Sequence, residues 1–67
     1  MILLNGEDSD LAPGATVAFV LDRLGLELEA PGVAVAVDGE VVPRAAWESF
    51  TLGGEARVEV LRAMQGG

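Results

Sequence analysis

Val33-Ala34-Val35-Ala36-Val37-Asp38-Gly39-Glu40-Val41-Val42 reads as two strands joined by a two-residue turn. Valines alternate with alanines from Val33 to Val37, so the two-residue period of a strand places branched side chains on one face and small ones on the other. Asp38-Gly39 suits the tight hairpin turn whose central residues both take positive φ. A hairpin with one apolar face is not stable alone, so the valine face needs a cover from elsewhere in the chain.

That cover lies upstream. Val17, Val20, Leu21 and Leu24 fall at i, i+3, i+4 and i+7, the spacing of one helix face, with Asp22 and Arg23 turned to water. Pro13-Gly14 breaks the chain before this segment, Thr16 is placed to cap its start, and Gly25 offers a left-handed C-cap with Leu26 as the hydrophobic contact. A helix of about two and a half turns is marginal by itself in water, so its apolar face must be held by a sheet. Farther upstream, Ile2-Leu3-Leu4 is a short apolar strand and Asn5-Gly6 a strong hairpin signal, with the returning strand expected over Asp8 to Leu11.

Downstream of the central hairpin, Pro43 cannot donate to a continuing ladder but can open a short helical turn, which Arg44-Ala45-Ala46-Trp47 fits. Trp47 is expected in the core, with Phe50 and Leu52 adding apolar area beside it, and Arg44 either covers Trp47 with its stem or meets a partner. Gly53-Gly54 is a sharp turn and lacks the spacing of a phosphate-binding loop. The last strand alternates Val58 and Val60 against Arg57, Glu59 and Leu61. The order hairpin, helix, hairpin, short helical turn, strand predicts an α+β fold: a mixed four- to five-stranded sheet packed on one main helix. A β-grasp arrangement, with the first and last strands together in the middle, satisfies the right-handed crossover preference. A five-stranded open barrel uses the same hairpins but leaves the helix less well explained.

Sixty-seven residues make one small domain. Cysteine and histidine are both absent, which removes disulfides, thiolate clusters, a cysteine nucleophile and the commonest general base. No three-carboxylate arrangement stands out around Asp8 and Asp10 or Glu27 and Glu29, so no metal site is expected. Eleven acidic residues against four arginines give a formal charge of −7, which repels nucleic acid and attracts a partner with a basic docking face. No membrane-spanning run and no basic export region at the start are seen, so a cytoplasmic chain, monomeric when free, is expected.

The last strand runs directly into Arg62-Ala63-Met64-Gln65-Gly66-Gly67. Two glycines cannot pack a core, but they can lie extended in a narrow channel and present a terminal carboxylate. With neither lysine nor cysteine in the chain, an activated acyl group at Gly67 meets no internal side-chain amine or thiol. Residues 1–62 are thus expected to form the folded domain and 63–67 a flexible tail. Strand parity puts Leu61 on the face opposite Val58 and Val60. Leu61 and Met64 are expected to form an apolar patch before the tail, flanked by Arg57, Glu59 and Arg62 and continued by Ala34 and Ala36.

The chain resembles the ThiS family, the ubiquitin-like β-grasp sulfur carriers of thiamine biosynthesis. The resemblance covers essentially the whole sequence: the apolar start with Asn5-Gly6, the helix from Thr16-Val17, the Val33 to Val37 strand, Val42-Pro43-Arg44 followed by Trp47, the Gly54-Glu55 turn and terminal Gly66-Gly67. Members often carry asparagine where this chain has Asp38 and aspartate where it has Glu55. The resemblance implies that Gly67 is the site of chemistry. An adenylating enzyme akin to the ubiquitin-activating enzymes uses ATP to make an acyl adenylate, and sulfur from a donor such as a cysteine desulfurase then gives a thiocarboxylate that thiazole synthase consumes. Leu61, Met64, Gln65 and Gly66 are the expected partner contacts, and the chain itself is a protein co-substrate with no bound cofactor. Neighbouring readings are a carrier for tRNA thiolation or protein conjugation, and a molybdopterin synthase small subunit, whose tail usually contains proline. A different class is a small acidic adaptor or inhibitor that acts through its folded surface.

Overall fold

The computed structural model describes residues 1–63. Strands β1 (Leu3–Leu4) and β2 (Glu7–Asp8) form the first hairpin, followed by helix α1 (Val17–Arg23), strands β3 (Val33–Val37) and β4 (Glu40–Val41), a 3-10 turn over Arg44–Ala46 and strand β5 (Arg57–Arg62). The sheet order is β2-β1-β5-β3-β4, with β1 parallel to β5 and every other pair antiparallel. This is the β-grasp arrangement, a five-stranded mixed sheet with the last strand at its centre. The open barrel is not formed, since among the described residues β2 and β4 are the two edges of the sheet and do not pair with each other.

Both hairpins turn as their sequences require: Asn5 and Asp38 each have φ of 52°, followed by Gly6 and Gly39 at 83° and 85°. Asn5 has a second use. Its Oδ1 accepts the Val60 amide at 2.8 Å and its own amide donates to the Val58 carbonyl at 2.8 Å, which extends the β1–β5 pairing past the end of β1. Asn5→Ala is therefore expected to lower stability by about 2 kcal/mol, because it strains a left-handed backbone and strips an amide of its acceptor. Urea denaturation with an unchanged m-value would register this loss.

The returning strand is shorter than expected. Pairing stops at Asp8; the Ser9 hydroxyl and amide both donate to the Ile2 carbonyl, at 2.6 and 3.1 Å, and the Ser9 Oγ then accepts the Leu11 amide at 3.3 Å. The serine turns the chain out of the ladder so that Leu11 can enter the core instead of continuing the strand.

Helix α1 has only seven residues, and the surrounding chain satisfies its start. Val17 donates to the Phe50 carbonyl, Ala18 to the Trp47 carbonyl and Phe19 to the Thr16 hydroxyl, at 3.0, 2.9 and 3.1 Å. Its end is a Schellman closure, with Gly25 donating to Asp22 and Leu26 to Leu21. Leu24, expected on the apolar face, is the C-cap residue and 42% exposed; Leu26 packs against the core in its place. Val17, Val20 and Leu21 meet Val35, Val37, Val58 and Val60 from the inner face of the sheet in one buried cluster. Trp47 closes that cluster at 2% exposure, its Nε1–H donated to the Val42 carbonyl at 2.9 Å. Leu52 is buried with it, whereas Phe50 stays exposed at the domain edge.

Candidate functional site

Strand β5 carries the site because it is both the centre of the sheet and the last element before the chain end. Its inward residues, Val58 and Val60, are buried, and alternation turns Arg57, Glu59 and Leu61 to the outer face. Leu61 is 65% exposed. Register places Ala34 directly across from Leu61 and Ala36 across from Glu59, so both alanines share the face of Leu61. Small side chains leave this part of the face low and accessible.

Two residues join this face that the sequence did not single out. Ala36 pairs with Val41 on its other side, and Val41 is 76% exposed. Leu3 pairs with Arg57 through the parallel β1–β5 register and is partly exposed. The apolar face is therefore Leu61, Ala34, Ala36, Val41 and Leu3, interrupted by Glu59 and Arg57. Arg62, expected to flank Leu61, alternates to the other side of β5 and pairs with Val33. Among the expected partner contacts, Met64, Gln65 and Gly66, together with Gly67, lie outside the described residues.

Ala63, directly after β5, donates its amide to the Gly32 carbonyl at 2.6 Å. The chain thus leaves the sheet anchored on the Leu28 to Gly32 loop. An open hollow of about 630 Å³ sits elsewhere, lined by Leu3, Asp38, Arg57 and Glu59 beside the two hairpin turns. That is the start of β5, the end remote from Ala63. Asp38 serves the fold there: its Oδ1 accepts the Arg57 amide at 2.9 Å, which aspartate does as well as asparagine.

Among the described residues, Glu55 is the titratable group with a clear shift. The ammonium of Met1 donates to it at 2.6 Å and holds its carboxyl below the usual carboxylate range, first through the hydrogen bond and then through charge. Its small contribution to stability is present above the ordinary carboxylate pKa and is lost as pH falls through the depressed one. Both groups are solvent-exposed and lie at the end of β5 away from Ala63. Among the described residues, no three His, Cys, Asp or Glu side chains converge as metal ligands, no buried side-chain polar atom lacks a partner, and no helix is long and apolar enough to cross a membrane. The folded part offers an exposed apolar surface beside the end of β5.

The family model for the ThiS family matches residues 2–67. This chain belongs to the ThiS family. Sulfur carriage in thiamine biosynthesis is the role of that family. The crystal structure of the thiamine biosynthesis protein ThiS from Geobacter metallireducens is 32% identical, with a TM-score of 0.75 over 98% of this chain and 97% of that one. An NMR solution structure of a thiamine biosynthesis protein from the same organism is also 32% identical, with a TM-score of 0.76 over 98% of this chain and 86% of that one. No curated protein matches the sequence. Membership in the ThiS family accounts for the β-grasp fold.

Proposed function

We propose that the chain carries sulfur as a thiocarboxylate on Gly67 and acts in the cytoplasm as a macromolecular substrate of other enzymes. A carboxylate is a poor acyl electrophile, and reaction with ATP on an adenylating enzyme gives it a leaving group as the acyl adenylate with release of pyrophosphate. The persulfide of a donor such as a cysteine desulfurase then displaces AMP to give an acyl disulfide, a thiol cleaves its S–S bond and leaves with the donor sulfur as a disulfide, and thiazole synthase accepts sulfur from the thiocarboxylate so released. Gly66 and Gly67 have no side chains to collide with a narrow channel, and Met64 and Gln65 lead them there. The chain binds no cofactor of its own in this scheme.

The observation that carries the proposal is the exposed outer face of β5 and β3, which ends where the chain departs at Ala63. Leu61 is its most prominent residue next to the tail, and docking of the adenylating enzyme buries it. Leu61→Glu is expected to weaken that binding by about 2 kcal/mol or more, the effect of a central apolar contact replaced by a charge. The melting temperature should stay nearly constant, because Leu61 packs against water. Titration calorimetry with the adenylating enzyme, paired with thermal denaturation, checks both halves; unimpaired binding, or a large loss of folding, contradicts the docking role.

The activation step itself is tested by ATP–pyrophosphate exchange catalysed by the adenylating enzyme, which should require the chain. Exchange that proceeds equally well without it would remove the acyl-adenylate step. Sulfur transfer from the loaded chain to a thiazole-forming system, against transfer to tRNA, separates the thiamine role from tRNA thiolation.

A further inference from the structure

The Val42-Pro43-Arg44 run and Trp47 have no part in the acyl chemistry, yet the structure connects them to the point where the tail leaves the fold. Pro43 starts the 3-10 turn that seats Arg44. Its guanidinium lies over the Trp47 ring, 4.5 Å from the centroid, and Trp47 is itself fixed by burial and by its hydrogen bond to Val42. From that seat Arg44 donates Nη1–H to the Leu28 carbonyl and Nη2–H to the Ala30 carbonyl, the latter at 2.9 Å. A planar fork reaching two carbonyls of one loop is geometry that arginine supplies and lysine does not.

The loop so held ends at Gly32, whose carbonyl accepts the Ala63 amide. The approach is close: a Cβ on Gly32 would lie 3.2 Å from the Cβ of Ala63, and Gly32 has φ of +76°, a region side chains rarely adopt. The contacts run in one unbroken series from the core tryptophan through Arg44 and the Leu28 to Gly32 loop to the first residue after β5.

We propose that Arg44 is a positioning residue for the activation reaction: it braces the loop that presents the Gly32 carbonyl, and that carbonyl sets the direction in which the tail leaves β5. This rests on the reading that the Gly67 carboxylate is the group activated. Four residues follow Ala63 and span at most about 14 Å, so a change of roughly 10° at the root moves the far end of that reach by about 2 Å. Reacting atoms must be placed more closely than that, and misplacement by about 1 Å can cost on the order of a hundredfold in rate. The docking face does not include Arg44, so the effect belongs to turnover and not to capture.

The test uses wild type, Arg44→Met, Arg44→Lys and Gly32→Ala, with two readings: the Ala63 amide exchange rate by NMR, and kcat and KM for ATP–pyrophosphate exchange by the adenylating enzyme. Arg44→Met keeps an apolar stem over Trp47 but removes both donors. It should speed Ala63 exchange by about tenfold and lower kcat by about tenfold with KM nearly unchanged. Arg44→Lys, with one ammonium for two carbonyls, should fall between it and wild type. Gly32→Ala alters the root without touching Trp47 and must shift the same two readings even where Arg44→Met fails to fold. Unchanged Ala63 exchange and kcat in folded Gly32→Ala, or in folded Arg44→Met, overturn the proposal while leaving the carrier reading in place. A wild-type chain that supports no exchange in the enzyme assay removes the carrier reading itself, and the role of Arg44 in activation with it.

Discussion

Deleting Gly67, or adding one residue after it, should abolish chain-dependent ATP–pyrophosphate exchange and leave the melting temperature unchanged. One residue shifts the carboxylate by about 3.4 Å, more than the separation that nucleophile and phosphorus can tolerate in a productive complex. A loss of at least about a hundredfold in kcat/KM is expected for either variant, because no binding contact elsewhere can replace a misplaced reacting group. Stability should not move, since the buried cluster of the described residues runs from Ile2 to Val60. Exchange kinetics and thermal denaturation on the same preparations give both answers. A variant that retains wild-type exchange would assign the function to the folded surface, as in an adaptor or inhibitor.

Trp47→Ala should remove a large share of the folding free energy. Replacing a buried aromatic with alanine costs about 3–5 kcal/mol, and a domain of this length has a total stability of roughly 3–10 kcal/mol. Trp47 is more exposed to this penalty than a valine of the sheet because it serves several neighbours. Its indole donates to the Val42 carbonyl, its own carbonyl accepts the Ala18 amide at the start of α1, and its ring supports the Arg44 guanidinium. Loss of the side chain thus leaves a cavity, an unpaired carbonyl and an unsupported arginine together. Trp47→Phe preserves most of the volume and should cost about 1–3 kcal/mol, chiefly from the unpaired carbonyl. Circular dichroism across a urea titration distinguishes the three chains; a Trp47→Ala protein as stable as wild type would remove Trp47 from the centre of the core.

Local patterns made most of the fold legible. Two Asx-Gly turns, an i, i+3, i+4 apolar spacing bounded by Thr16 and Gly25, and the alternation of Val58 and Val60 each specify an element from neighbours in sequence, and each element formed. Where chain neighbours compete with tertiary burial the pattern misled: Leu11 and Leu24 both fit their periodic segments, but Leu11 turns into the core after Ser9 and Leu24 ends the helix in water. Ser9 gave no strong signal because its hydroxyl works through a carbonyl seven residues away.

The docking face was partly legible for the same reason. Leu61, Ala34 and Ala36 follow from parity, and Val41 was available from the turn, since a two-residue loop at Asp38-Gly39 forces Ala36 opposite Val41. Leu3 was not, because no turn sets the register of a parallel pair. Arg44 was identified as a cover for Trp47 or a partner contact, and the structure shows the cover. Its bonds to Leu28 and Ala30, and the Gly32 to Ala63 contact, join segments distant in sequence through backbone carbonyls, which carry no residue-type pattern.

Intact-mass spectrometry of the chain after incubation with ATP, the adenylating enzyme and a sulfur donor tests the carrier chemistry most directly. A gain of about 16 Da, placed on residue 67 by fragmentation, is the expected result, because one carboxylate oxygen is exchanged for sulfur after acyl activation. An unchanged mass, with an enzyme that binds the chain and is active on another carrier, would contradict it.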